Sequence, residues 1–300
     1  MASKRKGKEI VGSPDGVGKK KAAVRFHGIE FKNVDQRKRY NILVSKPIST
    51  SRYPDGDTMI RLGIRDNVVR LLDTLGWTKM LRPMRGYENF TYEFLSSLAF
   101  TKDRSNSDNP DHKFSFRLLN NDYEMSIESF CETMGFSNVG FIHDSWDQNL
   151  KPVNYDPVAF WTRITGLDRY NACSNKDNAI HNPVLIYIQR VMACTIWGRK
   201  EVGPTRTDEL FMLWDMLNER PVNTCYYLLD HLYVVAKKKS DDKGEIVVGG
   251  IIIYIGGKFG VGFEQGINRI EGNNRLDLES LILMFFVRPF GEPCMRTYVI

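Results

Sequence analysis

The stretch that most constrains the fold is Asn182 to Lys239, which reads as three consecutive helices with tight connections. Asn182 followed by Pro183 is an N-cap and a first-turn proline. Val184, Leu185, Ile188, Val191, Met192 and Thr195 recur at helical spacing, and Gly198 is placed to stop the run in a left-handed turn. After Gly203 and Pro204, the run Thr207 to Leu217 opens with a hydroxyl and two acids, the chemistry of a helix N-terminus. Pro221 restarts the chain. The third run puts Leu228, Leu229, Leu232, Val235 and Ala236 on one face. Lys237, Lys238 and Lys239 close it, where cations complement the helix dipole. These residues describe packing, and no reaction can be read from them.

The same signals recur on both sides. Ile60, Ile64, Val68, Leu71, Leu72 and Leu75 keep helical spacing, interrupted at Gly63 and ended by Gly76. Glu88 to Ala99 carries Phe90, Phe94, Leu95 and Leu98 on one face. Lys113 to Leu119 alternates, Asn120-Asn121-Asp122 turns, and Tyr123 to Met125 returns, which predicts a short β-hairpin. Ser126 caps Ile127 to Met134 with Gly135 as the stop, and Asp156-Pro157 opens a helix ended by Gly166. The loop 137–154 is expected to fold Phe141 and Trp146 against the body, and Ser105 to Asp111 is polar loop. Gly244 to Gly262 suits a hairpin or a broken helix, and Asp277 caps Leu278 to Val287. The expected fold is mainly α, with one small β-hairpin in a multi-helix domain spanning 57–300.

Ahead of that domain, residues 1–56 read as a basic, largely disordered tail and linker, the linker touching the body at Phe31, Ile42 and Leu43. Up to Arg52 the chain has 14 Lys/Arg against 4 Asp/Glu, leaving 28 against 32 for the rest, so the net charge of +6 belongs to the tail. Lys4, Arg5 and Lys6, then Lys19, Lys20 and Lys21, flank a spacer in the manner of a bipartite nuclear localisation signal. A solvated tail with weak affinity for RNA or DNA is the other reading. No apolar run approaches the ~20 residues of a membrane span, and mean hydropathy is −0.35. The charged N-terminus lacks an apolar signal-peptide core, so nucleus or cytoplasm is expected, the basic clusters favouring the nucleus. The five cysteines contain no CxxC. Cys131, Cys194 and Cys225 sit in apolar helical runs and read as reduced, buried thiols.

Constellations that would carry chemistry fail on spacing. Gly256-Gly257-Lys258-Phe259-Gly260 lacks the P-loop's first glycine and the hydroxyl after lysine, so a tight turn explains it better. The histidines, His27, His112, His143, His181 and His231, form no HExxH, and no GxSxG occurs. No catalytic residue, metal ligand or cofactor is expected. A pocket gathering His181, Asp208 and Glu209 would revive an enzymatic reading. Trp197 beside Arg199 and Lys200 is the one basic-aromatic corner suited to a phosphate-and-base contact, its alternative being closure over a helix end.

Five blocks taken in order carry a resemblance. They are Tyr92 to Leu98 (YEFLSSL), Met125 to Phe136 (MSIESFCETMGF), Asp156 to Gly166 (DPVAFWTRITG), Asn182 to Arg190 (NPVLIYIQR) running into Ile196 to Arg199 (IWGR), and Arg206 to Phe211 (RTDELF). Together they resemble the C-terminal domain of the protein encoded by the first open reading frame of Athila-type, gypsy-class plant retrotransposons, over roughly 57–285. A looser kinship with the plant mobile domain is consistent with the same helical character. The resemblance implies a helix over Gly249 to Gly260 and no catalytic residues. It also implies a gag-like or accessory role through self-association or a protein partner, although the chain lacks the zinc knuckle of a full gag protein. A nuclear nucleic-acid binder using the basic tail is the alternative.

Overall fold

Polar caps start the helices where the sequence places them. In the computed structural model, which describes residues 28–100, 113–136, 140, 154–172, 174–248, 250–284 and 286, the Asn182 side chain accepts from the Val184 N–H at 2.9 Å and opens helix α7, Pro183–Thr195. Every residue of α7 from Val184 to Thr195 is buried, so this helix is the axis of the core. Such a helix is enclosed by neighbours on all sides. It packs against α8, Thr207–Leu217, and α3, Arg65–Thr74. Helix α6, Pro157–Thr165, capped by Asp156 and stopped by Gly166 at φ +71°, lies on α8. Helix α9, Thr224–Ala236, is capped by Asn223 and packs on α4, Glu88–Ser97. Burying each large apolar side chain contributes about 1.5–3 kcal/mol.

The expected hairpin is present and larger than anticipated. Strands β2, Ala99–Phe100, β3, Lys113–Leu118, and β4, Asn121–Ser126, form an antiparallel sheet in that order. Its turn is displaced from the expected Asn120-Asn121-Asp122 and centres on Leu119 and Asn120, at φ +52° and +65°. A left-handed leucine is strained. The buried Glu93 carboxylate compensates by accepting from the N–H groups of Leu119 and Asn120, each at 2.7 Å. Phe114 and Phe116 point from this sheet into the core, against Phe130 and Phe94. Phe130 belongs to α5, Ile127–Met134, which begins at Ser126 and stops at Gly135 as expected.

Three expectations need correction. First, Cys131 of α5 and Cys225 of α9 are joined by a disulfide, with Cα atoms 5.8 Å apart, rather than standing as reduced thiols. Packing of α5 on α9 brings together positions 94 residues apart, which no local spacing reveals. Cys194 does remain a free, buried thiol. Second, ordered structure begins well before Asp57. Helix α1, Val34–Val44, is capped by Asn33, buries Gln36, Tyr40 and Leu43 at helical spacing, and packs on α4. Strand β1, Tyr53–Pro54, pairs in parallel with β5, Arg275–Leu276. Third, the run from Ile60 to Leu75 is two helices, α2 over Gly56–Arg61 and then α3, with Gly63 at φ +66° between them.

Near the C-terminal end, α10 covers Ile251–Gly257, so the helical reading of the glycine-rich stretch holds there. Asp277 caps α11, Leu278–Leu283, which is shorter than expected. The result is mainly helical with a small antiparallel sheet. Lys4, Arg5, Lys6, Lys19, Lys20 and Lys21, the segment Ser105 to Asp111, and Phe141 and Trp146 lie outside the described residues.

Candidate functional site

The C-terminal end of α7 delivers Trp197, Arg199 and Lys200 to three different environments. Gly198 makes the turn at φ +50°, and a Cβ there would meet the Val247 carbonyl oxygen at 2.2 Å. Only glycine tolerates both the backbone angle and that approach. The turn is fastened by the Arg199 N–H donating to the Ala193 carbonyl at 2.8 Å. Trp197 is half-buried and stands edge-on to Tyr227, with centroids 6.0 Å apart. Lys200 stays exposed and pairs with Glu245.

Arg199 turns inward. Its side chain, 9% exposed, is ion-paired to Glu209 and donates to the Pro204 carbonyl at 3.0 Å. Glu209 is wholly buried on α8. It also accepts from Gln189 Nε2 at 2.8 Å and from the Arg206 N–H at 3.0 Å. Burial raises the Glu209 carboxyl and lowers the Arg199 guanidinium, while the attraction between them opposes both shifts. A second buried pair ties the preceding loop to the same helix. Arg190 Nε donates to Asp177 at 2.5 Å with both side chains at most 3% exposed, and burial raises the Asp177 carboxyl. The set that would have revived an enzymatic reading, His181, Asp208 and Glu209, is not gathered: Glu209 is committed to the core, whereas His181 is exposed near Gly166.

A cavity of about 330 Å³ opens beside this helix end. Its wall includes Ser49, Arg52, Cys194, Arg199, Lys200 and Asn273. Three segments remote in sequence meet there. Ser49 donates to the Glu245 carboxylate, and the Ser49 N–H donates to the Ile246 carbonyl at 2.9 Å. The Tyr53 N–H donates to the Asn274 carbonyl at 2.9 Å, which sets Arg52 beside Asn273 at the start of the β1–β5 pair. Sequence reading singled out Arg199 and Lys200 and missed Arg52. No motif surrounds Arg52, and only the long-range pairing of β1 brings it here.

Burial pushes the Cys194 thiol up to about 11, with Arg52 and Arg199 only partly opposing, so it stays protonated near neutral pH and is a poor nucleophile. Among the described residues, no group of three or more His, Cys, Asp or Glu side chains is arranged to hold a metal ion. No helix among them is long and apolar enough to cross a membrane. No curated protein and no solved structure matches the chain. The family model described as ATHILA ORF-1 family matches residues 31–271, a span that takes in α1, the buried α7 and all but one edge of the cavity, and the chain therefore belongs to the ATHILA ORF-1 family, a retrotransposon-derived lineage.

Proposed function

We propose that this chain is a non-enzymatic, gag-like or accessory domain that works by self-association or by binding a protein partner. The observation that supports this reading is how three of the buried carboxylates, Glu93, Asp177 and Glu209, are used. In enzymes, perturbed carboxyl groups gather in clefts where substrate can reach them. Here Glu93 holds the β3–β4 turn, Asp177 holds the loop before α7, and Glu209 holds the junction of α7 and α8. Each ties elements together, as suits a rigid platform that presents surfaces. Light scattering across a concentration range is the test. Mass rising with concentration is expected, and a strict monomer at the highest attainable concentration counts against assembly.

A second reading, nuclear nucleic-acid binding, draws on the concentration of positive charge before Arg52. The chain would then accumulate in the nucleus through Lys4, Arg5, Lys6, Lys19, Lys20 and Lys21, and its affinity for RNA or DNA would fall steeply with salt. Unchanged affinity after removing residues 1–25 and neutralising Arg199 and Lys200 would sink it. In that reading Lys200 is the more accessible of the two, its side chain being exposed while that of Arg199 is paired with Glu209 in the interior.

A further inference from the structure

We propose that the cavity at the C-terminal end of α7 binds a terminal phosphate group, with Arg52 as its principal cation and Arg199 Nε as a second donor. The proposal does not depend on the assembly reading.

Charge pairing around the cavity leads to Arg52. Arg199 is matched by Glu209 and Lys200 by Glu245. Glu271, an exposed acid on the cavity wall, lies 3.6 Å from Arg269 Nε. Asp277 feels the charge of Arg52, yet commits one oxygen to the Ser280 N–H at 2.8 Å and the other to Asn273 Nδ2 at 2.8 Å. Arg52 itself is half-buried and makes no hydrogen bond or ion pair among the described residues. A partly desolvated guanidinium without an acceptor is costly. Its planar fork matches the oxygens of a phosphate, which a lysine would meet only as a point charge.

A second observation is independent of Arg52. Arg199 Nε is buried and has no hydrogen-bond partner, although the rest of that guanidinium is engaged. Arg199 belongs to the cavity wall, and a buried donor left without an acceptor is costly, a cost that an anion entering beside it would relieve. Lys200, exposed and with more hydrogens than its pair with Glu245 uses, is on the same wall. Two features oppose anion binding: the negative end of the α7 dipole and the Glu271 carboxylate. Against them stand Arg52, Arg199 and Lys200 on the same wall, three cations to the one carboxylate of Glu271. The volume lies at the small end of ligand sites, enough for a phosphate and its sugar but not for a folded strand. The shared chemistry is therefore a phosphomonoester, carried by a mononucleotide or by the 5′ end of a nucleic-acid strand.

Calorimetric titration of the full chain at one fixed salt concentration tests this, with inorganic phosphate, AMP, and a trinucleotide bearing either a 5′-phosphate or a 5′-hydroxyl. Saturable binding of phosphate and AMP is expected below about 10 mM. Arg52→Gln should weaken it about tenfold or more, and Glu271→Gln should tighten it about two- to fivefold. Glu271 is exposed, so the second variant keeps a clean reading even if the first is unstable. If the 5′-phosphorylated trinucleotide binds tighter than AMP and loses that advantage in Arg52→Gln, the phosphate comes from a strand end. If AMP is at least as tight, it comes from a mononucleotide. Failure of phosphate and AMP to bind, affinities indifferent to both substitutions, or trinucleotide binding that ignores the 5′-phosphate would each overturn the proposal.

Discussion

Glu209 and Asp215 sit on the same helix, six positions apart, and both are fully buried, yet their surroundings differ. Glu209, near the start of α8, accepts from Gln189, Arg199 and the Arg206 N–H. Asp215, near the end, has neither oxygen hydrogen-bonded among the described residues; it lies 3.6 Å from Arg220 and also interacts electrostatically with Tyr155. Burial pushes Asp215 up to about 7, and Arg220 opposes that without cancelling it. The contrast teaches that depth does not decide what a buried acid contributes. Donors do. An acid near a helix start also meets the positive end of the dipole, while one near the end meets the negative end.

The largest effect is expected where the well-partnered acid is removed. Glu209→Ala strands Arg199 and Gln189 and should cost about 3–5 kcal/mol, measured by denaturant unfolding. A loss below about 1 kcal/mol would show that Arg199 finds other acceptors and that the two acids are alike. Next in size is the pH response of Asp215. Its folded pKa lies above the unfolded value, so the folded state keeps a proton that the unfolded state has lost. Stability from this group is therefore full below about pH 4 and declines as pH rises to about 7, by up to roughly 4 kcal/mol. Asp215→Asn should remove that slope and raise stability at pH 8 by about 1–3 kcal/mol. An unchanged slope would assign the pH response elsewhere.

Gly198→Ala sharpens the Glu209 side, because the turn at Gly198 is what aims Arg199. The added methyl meets the Val247 oxygen, and a loss of about 1–3 kcal/mol is expected. A neutral result would mean that the turn moves without disturbing the ion pair. Lys200→Ala should be smallest, within about 1 kcal/mol, because the Lys200–Glu245 pair is exposed on the lysine side and screened by solvent. Neighbouring residues of one turn, Arg199 and Lys200, would then differ severalfold in consequence.

What was legible beforehand follows from range. Caps and stops are local, and Asn182, Asp156, Ser126, Gly135 and Gly166 mark helix ends as read. Helix α1 escaped because its buried stripe of Gln36, Tyr40 and Leu43 is broken by Arg37, Lys38 and Arg39 and includes a polar residue. The hairpin turn was misplaced because asparagines advertise turns, whereas Leu119 tolerates its backbone only through Glu93, some 26 positions away. The disulfide and the cavity were invisible for the same reason. Cys131 meets Cys225, and Arg52 meets Arg199, only after the helices have packed. Arg199 and Lys200 stood out by their place beside Trp197 at a helix end, and sequence adjacency does not tell an inward guanidinium from an outward ammonium.

The pairing of β1 with β5 bears on how this chain is made. Tyr53 emerges from a ribosome early, while its partner strand, Arg275–Leu276, emerges last among the described strands. Helix pairs such as α7 and α8 close over short separations and are free to form during synthesis. The β1–β5 ladder must wait, leaving Tyr53, buried in the finished fold, uncovered on its sheet side until then. Pulse-labelled hydrogen exchange during refolding should show the Tyr53 amide protected later than those of α7, and simultaneous protection would contradict that order. The strand that covers Tyr53 is thus also the clock on that part of the assembly.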